Sequence, residues 1–221
     1  MRGLIPAVGA MPEVPAVSEV EVGPLEGGES KYLRPMSMRY TQRGQRHRWD
    51  LIETHPSVGA LIYNVDRDAF VLVRQFRPAF YAHLMREEGR GATPAEGDGL
   101  TYELCAGLCD KSGLSNAQVM AEEVHEETGY RVDASACRFV ANTLNSTGTS
   151  GAPQALFYVE VTDAQREGDG GGVDSSEAIE VVHLPAGDVL AFTQDETKPK
   201  PAGLLFMLFY WLSVLKPQRS A

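Results

Sequence analysis

The chain has little of what would place it in a membrane, in an oxidising compartment or on a nucleic acid. Its most apolar run, GLLFMLFYWLSVL from Gly203 to Leu215, is about 13 residues, short of the ~20 that span a bilayer. A buried C-terminal helix and no membrane partner are expected. Pro6, Gly9, Pro12 and Pro15 interrupt the N-terminus, which lacks the apolar stretch of a secretory signal. There are three cysteines, Cys105, Cys109 and Cys137. An odd, low count suits a reducing compartment better than a disulfide framework, and no Cys or His pair stands near Cys105 and Cys109 to complete a zinc site. Structural thiols in a soluble, cytoplasmic protein are expected. A basic stripe is also missing: 20 Lys and Arg face 30 Asp and Glu, for a formal charge of −10 and a pI near 5.0. That excludes a general polyanion binder, and with it a nucleic-acid partner. A small anionic substrate stays compatible, because a bound cation reverses the local field.

What the chain does have is acid concentrated in one place. Glu122, Glu123, Glu126 and Glu127 crowd into six residues of GLCDKSGLSNAQVMAEEVHEETGY, Gly107 to Tyr130. Helical spacing puts Glu123, Glu126 and Glu127 on one face, where like charges cost an isolated helix roughly 0.2–0.5 kcal/mol per pair. A counter-cation reverses that cost, and an oxygen-only donor set suits Mg²⁺, with Mn²⁺ as a substitute, better than zinc. Ser115 and Gln118 form a capping-box pair at the start of this helix, and Gly129 is its stop. Ala117, Met120, Ala121, Val124 and Thr128 make a packing stripe away from the acid.

The 221 residues fit one domain with extensions. Residues 1–30, rich in Pro, Gly, Val and Glu, are expected to be a flexible extension. YLRPMSMRYTQ and HRWDLIE predict two strands around Arg43-Gly44-Gln45. SVGALIYN and AFVLVRQF predict two more, joined at Val65–Asp68. Residues 86–99 are polar and Gly-rich, hence a loop. LTYELCAG is one strand leading into the acidic segment. Strands follow near 137–143 and 154–162, a Gly/Asp-rich loop at 167–176, the strand AIEVVHLP, and helices near 186–193 and 202–215.

The order of strand, Gly loop and acidic helix ending in EExGY resembles the Nudix box, G-x5-E-x7-R-E-U-x-E-E-x-G-U. Glu123-Val124-His125-Glu126-Glu127-Thr128-Gly129-Tyr130 matches its second half without a gap. The first half departs from it: the loop after Gly107 is one residue longer, the first box Glu is missing (Gly113 or Leu114 stands there), and the box Arg is Glu122. WDLIETH, VLVRQFRPA and IEVVHLP are similar to the ADP-sugar and UDP-sugar pyrophosphatase branch. The resemblance covers about residues 31–215.

The resemblance implies an α/β Nudix fold, a mixed sheet between helices in an α/β/α sandwich. It implies an N-terminal antiparallel β region at 31–56 for dimerisation and base binding, a hydrolase domain at 57–215 and a tail at 216–221. It implies Mg²⁺-dependent hydrolysis of a nucleoside diphosphate sugar by a homodimer. Ser146-Thr147-Gly148 lacks the Pro that ADP-ribose pyrophosphatases carry there, which favours UDP-glucose over ADP-ribose or an ADP-sugar. A non-catalytic nucleotide-sugar sensor is the alternative of another class. By match, Glu123 and Glu127 are the main metal ligands, Glu126 assists, and the Ala106 carbonyl joins them. The general base is Glu177, with Glu180 second. Arg77 holds a substrate phosphate, Trp49 stacks on the base beside Asp50, and Glu103 lies near substrate and metal.

Overall fold

The computed structural model describes residues 5–6, 14, 16–25, 28, 30, 32–172 and 178–219. Strand β1 (Ile5–Pro6) is followed by the hairpin β2 (Leu33–Gln42) and β3 (Gln45–Thr54), then β4 (Ser57–Asn64) and β5 (Ala69–Phe76). Helix α1 (Pro78–Glu88) precedes β6 (Leu100–Glu103), β7 (Cys105–Leu108) and helix α2 (Asn116–Thr128). Then come β8 (Arg138–Leu144), β9 (Pro153–Val161), β10 (Ile179–Pro185), α3 (Val189–Gln194), α4 (Ala202–Tyr210) and α5 (Lys216–Arg219).

The main sheet runs β1-β10-β5-β4-β9-β8. The β4–β9 pair is parallel and the others are antiparallel. Alternation along the strands gives two cores. Leu61, Phe70, Leu72, Val182 and Leu184 face α3, α4 and Trp211. Ala60, Ile62, Val71, Val159 and Val181 face α2 through Val119, Met120 and Val124. Each large apolar side chain so buried contributes about 1.5–3 kcal/mol. The result is the expected mixed sheet between helices.

The strand pair β4–β5 holds together only over Ile62–Asn64 and Ala69–Val71, then splays. The chain expected as one strand, LTYELCAG, fills the fork as two. β6 pairs with β5, Leu104 crosses the gap, and β7 pairs with β4. That break brings Glu103 and Ala106 to the mouth of the fork, where α2 packs.

Three further elements differ from expectation. Helix α1 was not anticipated, and its last turn takes residues 86–88 from the predicted loop. Pro78 starts it and Gly89, left-handed at φ 67°, ends it, but only Tyr81 of its length is buried, so no apolar stripe announces it. Within the predicted flexible extension, Ile5–Pro6 forms a strand on the open edge of β10, opposite His183 and Val182, as unpaired edges invite. The C-terminal helix widens into a π-turn at Trp211–Leu215, ahead of Pro217, which lacks the N–H an α-helical turn would use. No helix among the described residues is long and apolar enough to cross a membrane.

Candidate active site

Helix α2 is fixed at both ends by the residues expected to do so. Ser115 Oγ accepts from the Gln118 N–H at 3.3 Å, and Gln118 Oε1 accepts from the Ser115 N–H at 2.9 Å. Gly129 is left-handed at φ 76°, and its N–H donates to the His125 carbonyl at 2.9 Å. A Cβ there would lie 2.1 Å from the Gly168 oxygen, so glycine is required both by conformation and by space.

The helix presses its acid onto β7. Glu127 is only 7% exposed, and its Oε2 accepts from the Ala106 N–H at 3.0 Å. Burial pushes its pKa up to about 8, and the Glu123 charge adds to the rise. The Ala106 N–H, the Cys105 thiol and Arg77 oppose it. Cys105 is in turn held well above the ordinary thiol range by burial and by Glu127. The Glu123 carboxylate lies against Gly107, where an added Cβ would sit 2.1 Å from its carboxyl carbon. Gly107 thus leaves the space that the Glu123 carboxylate occupies, and a larger residue there would displace that carboxylate. Glu126 stands toward solvent, 3.9 Å from Lys111 Nζ, and Glu122 pairs with the same nitrogen at 2.7 Å.

Among the described residues, no three Asp, Glu, His or Cys side chains already converge as a ligand cluster. The donor chemistry nonetheless fits a hard cation. It is oxygen-only, and it contains a buried carboxylate that lacks enough positive charge to stay ionised near neutral pH.

Next to this acid, a cavity of about 700 Å³ is lined by Arg77, Glu103, Ala106, Asn145, Ser146 and Lys200, among others. Arg77 commits its fork to Glu103, with Nε donating to Oε1 at 2.7 Å and the second N–H to Oε2. Glu103 also accepts from the Thr101 hydroxyl at 2.5 Å. The hydrogen bond to Glu103 raises the Arg77 pKa further. Glu103, Ala106 and Arg77 are therefore brought together beside Glu123 and Glu127.

The other expected site residues lie elsewhere. Trp49 is 51% exposed on the hairpin, with its indole N–H donating to the Gly148 carbonyl at 2.8 Å. Asp50 accepts from Arg48 at 3.0 and 3.1 Å, and Arg48 holds its carboxyl below the usual range. Neither lines the cavity. The hairpin is tied to the loop 145–150, in which Ser146 faces the cavity while the Gly148 carbonyl accepts from Trp49 and the Thr149 carbonyl from the Ile52 N–H.

Glu177 lies outside the described residues. Glu180, its alternative, does not meet the acidic helix. It shares the sheet face of Val182 and Leu184, away from α2, and is ion-paired with Arg74 at 2.5 Å. The period of two in β10 sets this outcome, but the sequence does not say which face α2 covers. The cavity residues Asn145, Gln154 and Lys200 were also not anticipated. They come from three separate segments, and no local spacing joins them.

No family model matches the chain. It is similar to uridine diphosphate glucose pyrophosphatase NUDT14 of Bos taurus, 41% identical over 203 residues, which is 85% of this chain and 91% of that protein. The Mus musculus protein of the same name is 38% identical over 86% of this chain and 93% of its own length. A GDP-mannose pyrophosphatase of Cronobacter sakazakii is 34% identical over 66% of this chain and 68% of its own. An acidic helix alone does not establish kinship, but identity sustained over 85% of the chain does, and it makes this chain a member of the Nudix superfamily, in its nucleotide-sugar pyrophosphatase branch.

Proposed function

We propose that the protein hydrolyses the diphosphate of a nucleoside diphosphate sugar, UDP-glucose before others, to UMP and glucose 1-phosphate. The observation that carries this reading is the 41% identity to a UDP-glucose pyrophosphatase over nearly all of that protein. The geometry supports the same reading: the buried Glu127 and the half-buried Glu123 on α2 adjoin, across Ala106, an open cavity large enough for a nucleotide sugar.

Glu123 and Glu127, with help from Glu126 and the Ala106 carbonyl, would hold Mg²⁺. When bound, that ion neutralises phosphate oxygens and acidifies water. Glu127 would give up its proton to bind it, which restores the charge that burial suppresses. Arg77 lies at the cavity with its guanidinium held flat by Glu103, so its outer N–H groups are aimed rather than free to swing. In the reaction, water attacks one phosphorus, the P–O–P bridge breaks, and the bridging oxygen leaves with the other phosphate. Glu177 is the proton acceptor in this reading on its sequence match, and the Arg74 ion pair of Glu180 favours it over that alternative.

The functional unit in this reading is a homodimer. The hairpin β2–β3 exposes Met36, Met38 and Trp49 on one face, an apolar surface of the kind a second copy covers. Cys105, Cys109 and Cys137 are all free thiols, which suits a cytoplasmic location.

A Mg²⁺ hydrolysis panel of UDP-glucose, UDP-galactose, ADP-ribose, ADP-glucose and GDP-mannose tests the substrate. UDP-glucose is expected to give the highest kcat/KM. An ADP-ribose or GDP-mannose preference overturns the UDP assignment. Tight binding without turnover of any substrate overturns the enzyme reading in favour of a sensor.

A further inference from the structure

Helix α2 places Glu122 and Glu126 four residues apart, one turn of like charge on its solvent side. Such a pair repels. Lys111, in the loop between β7 and α2, sits between them, with Nζ 2.7 Å from Glu122 Oε2 and 3.9 Å from Glu126 Oε1. The loop is tied at its β7 end by the Cys109 N–H, which donates to the Pro56 carbonyl at 2.8 Å, and at its helix end by the Ser115 capping box. Between those anchors Lys111 carries the ionic contact to the helix.

This contact falls where the sequence departs from the box pattern. The loop lacks the box Glu, and Glu122 occupies the place of the box Arg. The pattern places an acid on the loop and a base on the helix, whereas here the cation is on the loop and the anion on the helix. A loop held to a helix by one ion pair is held equally by either polarity.

We propose that Lys111 is a positioning residue, whose reversed-polarity clamp on Glu122 and Glu126 fixes the β7–α2 loop and so keeps Ala106 and Gly107 seated on Glu127 and Glu123. The proposal rests on the reading of those glutamates as the reactive face. Lys111 and Glu122 are 46% and 43% exposed, so their pair adds little to global stability. Its effect falls on local geometry instead, where small displacements of reactive groups are costly.

A charge-swap cycle tests this with Lys111→Glu, Glu122→Lys, the double variant and Lys111→Arg. Two readouts are taken: steady-state kinetics on UDP-glucose with saturating Mg²⁺, and amide hydrogen exchange across residues 109–115 in the metal-free protein. Each single reversal is expected to lower kcat by about five-fold, with KM within about two-fold, and to speed exchange in the loop. The double variant should recover both quantities to within about two-fold of the starting protein, and Lys111→Arg should match it. A double variant as impaired as the product of the singles overturns the proposal, as does a Lys111→Glu protein with unchanged kcat and exchange, or one in which only KM moves. If the unsubstituted protein turns over no nucleotide sugar, the functional reading fails by itself. The exchange cycle then decides the clamp: recovery in the double variant supports it and additivity overturns it.

Discussion

Burying a carboxylate without enough counter-charge favours its neutral form, and Glu127 shows this with a pKa pushed up to about 8. Its folded pKa lies above its unfolded value. The stability associated with its protonated form is therefore complete below about pH 4.5 and drains away as pH rises toward about 8. At roughly 1.4 kcal/mol per unit, the loss amounts to a few kcal/mol. Urea unfolding of the metal-free protein should show this decline, Glu127→Gln should remove most of it, and Mg²⁺ should offset it in the unsubstituted protein alone. The same variant should keep its fold and lose turnover by at least about 100-fold, since a neutral amide cannot supply the missing charge. His183 pulls the other way. It is buried with neither ring nitrogen hydrogen-bonded among the described residues, and burial, with the Arg67 and Arg166 charges, lowers its pKa to about 4. Its contribution is complete above about pH 6.5 and is lost as pH falls toward about 4, so His183→Leu should flatten the acid limb of the same titration.

At the scale of elements, the site depends on how α2 meets the β4–β5 fork. Gly107→Ala would drive a methyl group into the Glu123 carboxylate. It should cost at least about ten-fold in kcat while circular dichroism stays unchanged. Ser115→Ala removes one half of the capping box and should lower stability by about 1 kcal/mol in urea unfolding. Much of this architecture is legible in the sequence. The Ser115–Gln118 box, the Gly129 stop, the Arg43-Gly44 turn and strands β4 and β5 are local patterns, fixed by residues within a few positions of one another. What was hidden depends on contacts distant in sequence. LTYELCAG reads as one strand because nothing local marks Leu104 as a crossing. Helix α1 carries too few buried residues to show a period. The side of β10 on which Glu180 lies depends on where α2 packs. The acidic spacing grouped Glu123, Glu126 and Glu127 but not their differences: Glu127 is sealed under Ala106, Glu123 lies against Gly107, and Glu126 is near Lys111.

Across the whole molecule, two bodies divide the work. The sandwich holds the acid and the cavity, while the hairpin carries Trp49 and Asp50 outside the cavity and is tied to it through the loop 145–150. A hairpin exposing Met36, Met38 and Trp49 on one face should be covered by its counterpart in a dimer. Met38→Asp should shift sedimentation toward the monomer and raise KM more than it lowers kcat, because the acidic helix is untouched. The bond that breaks defines the reaction. Phosphorus NMR of UDP-glucose incubated with Mg²⁺ and the protein tests it most directly: equal amounts of UMP and glucose 1-phosphate are predicted, and their absence with Glu127→Gln. UDP with free glucose, or equal turnover by that variant, would contradict the account.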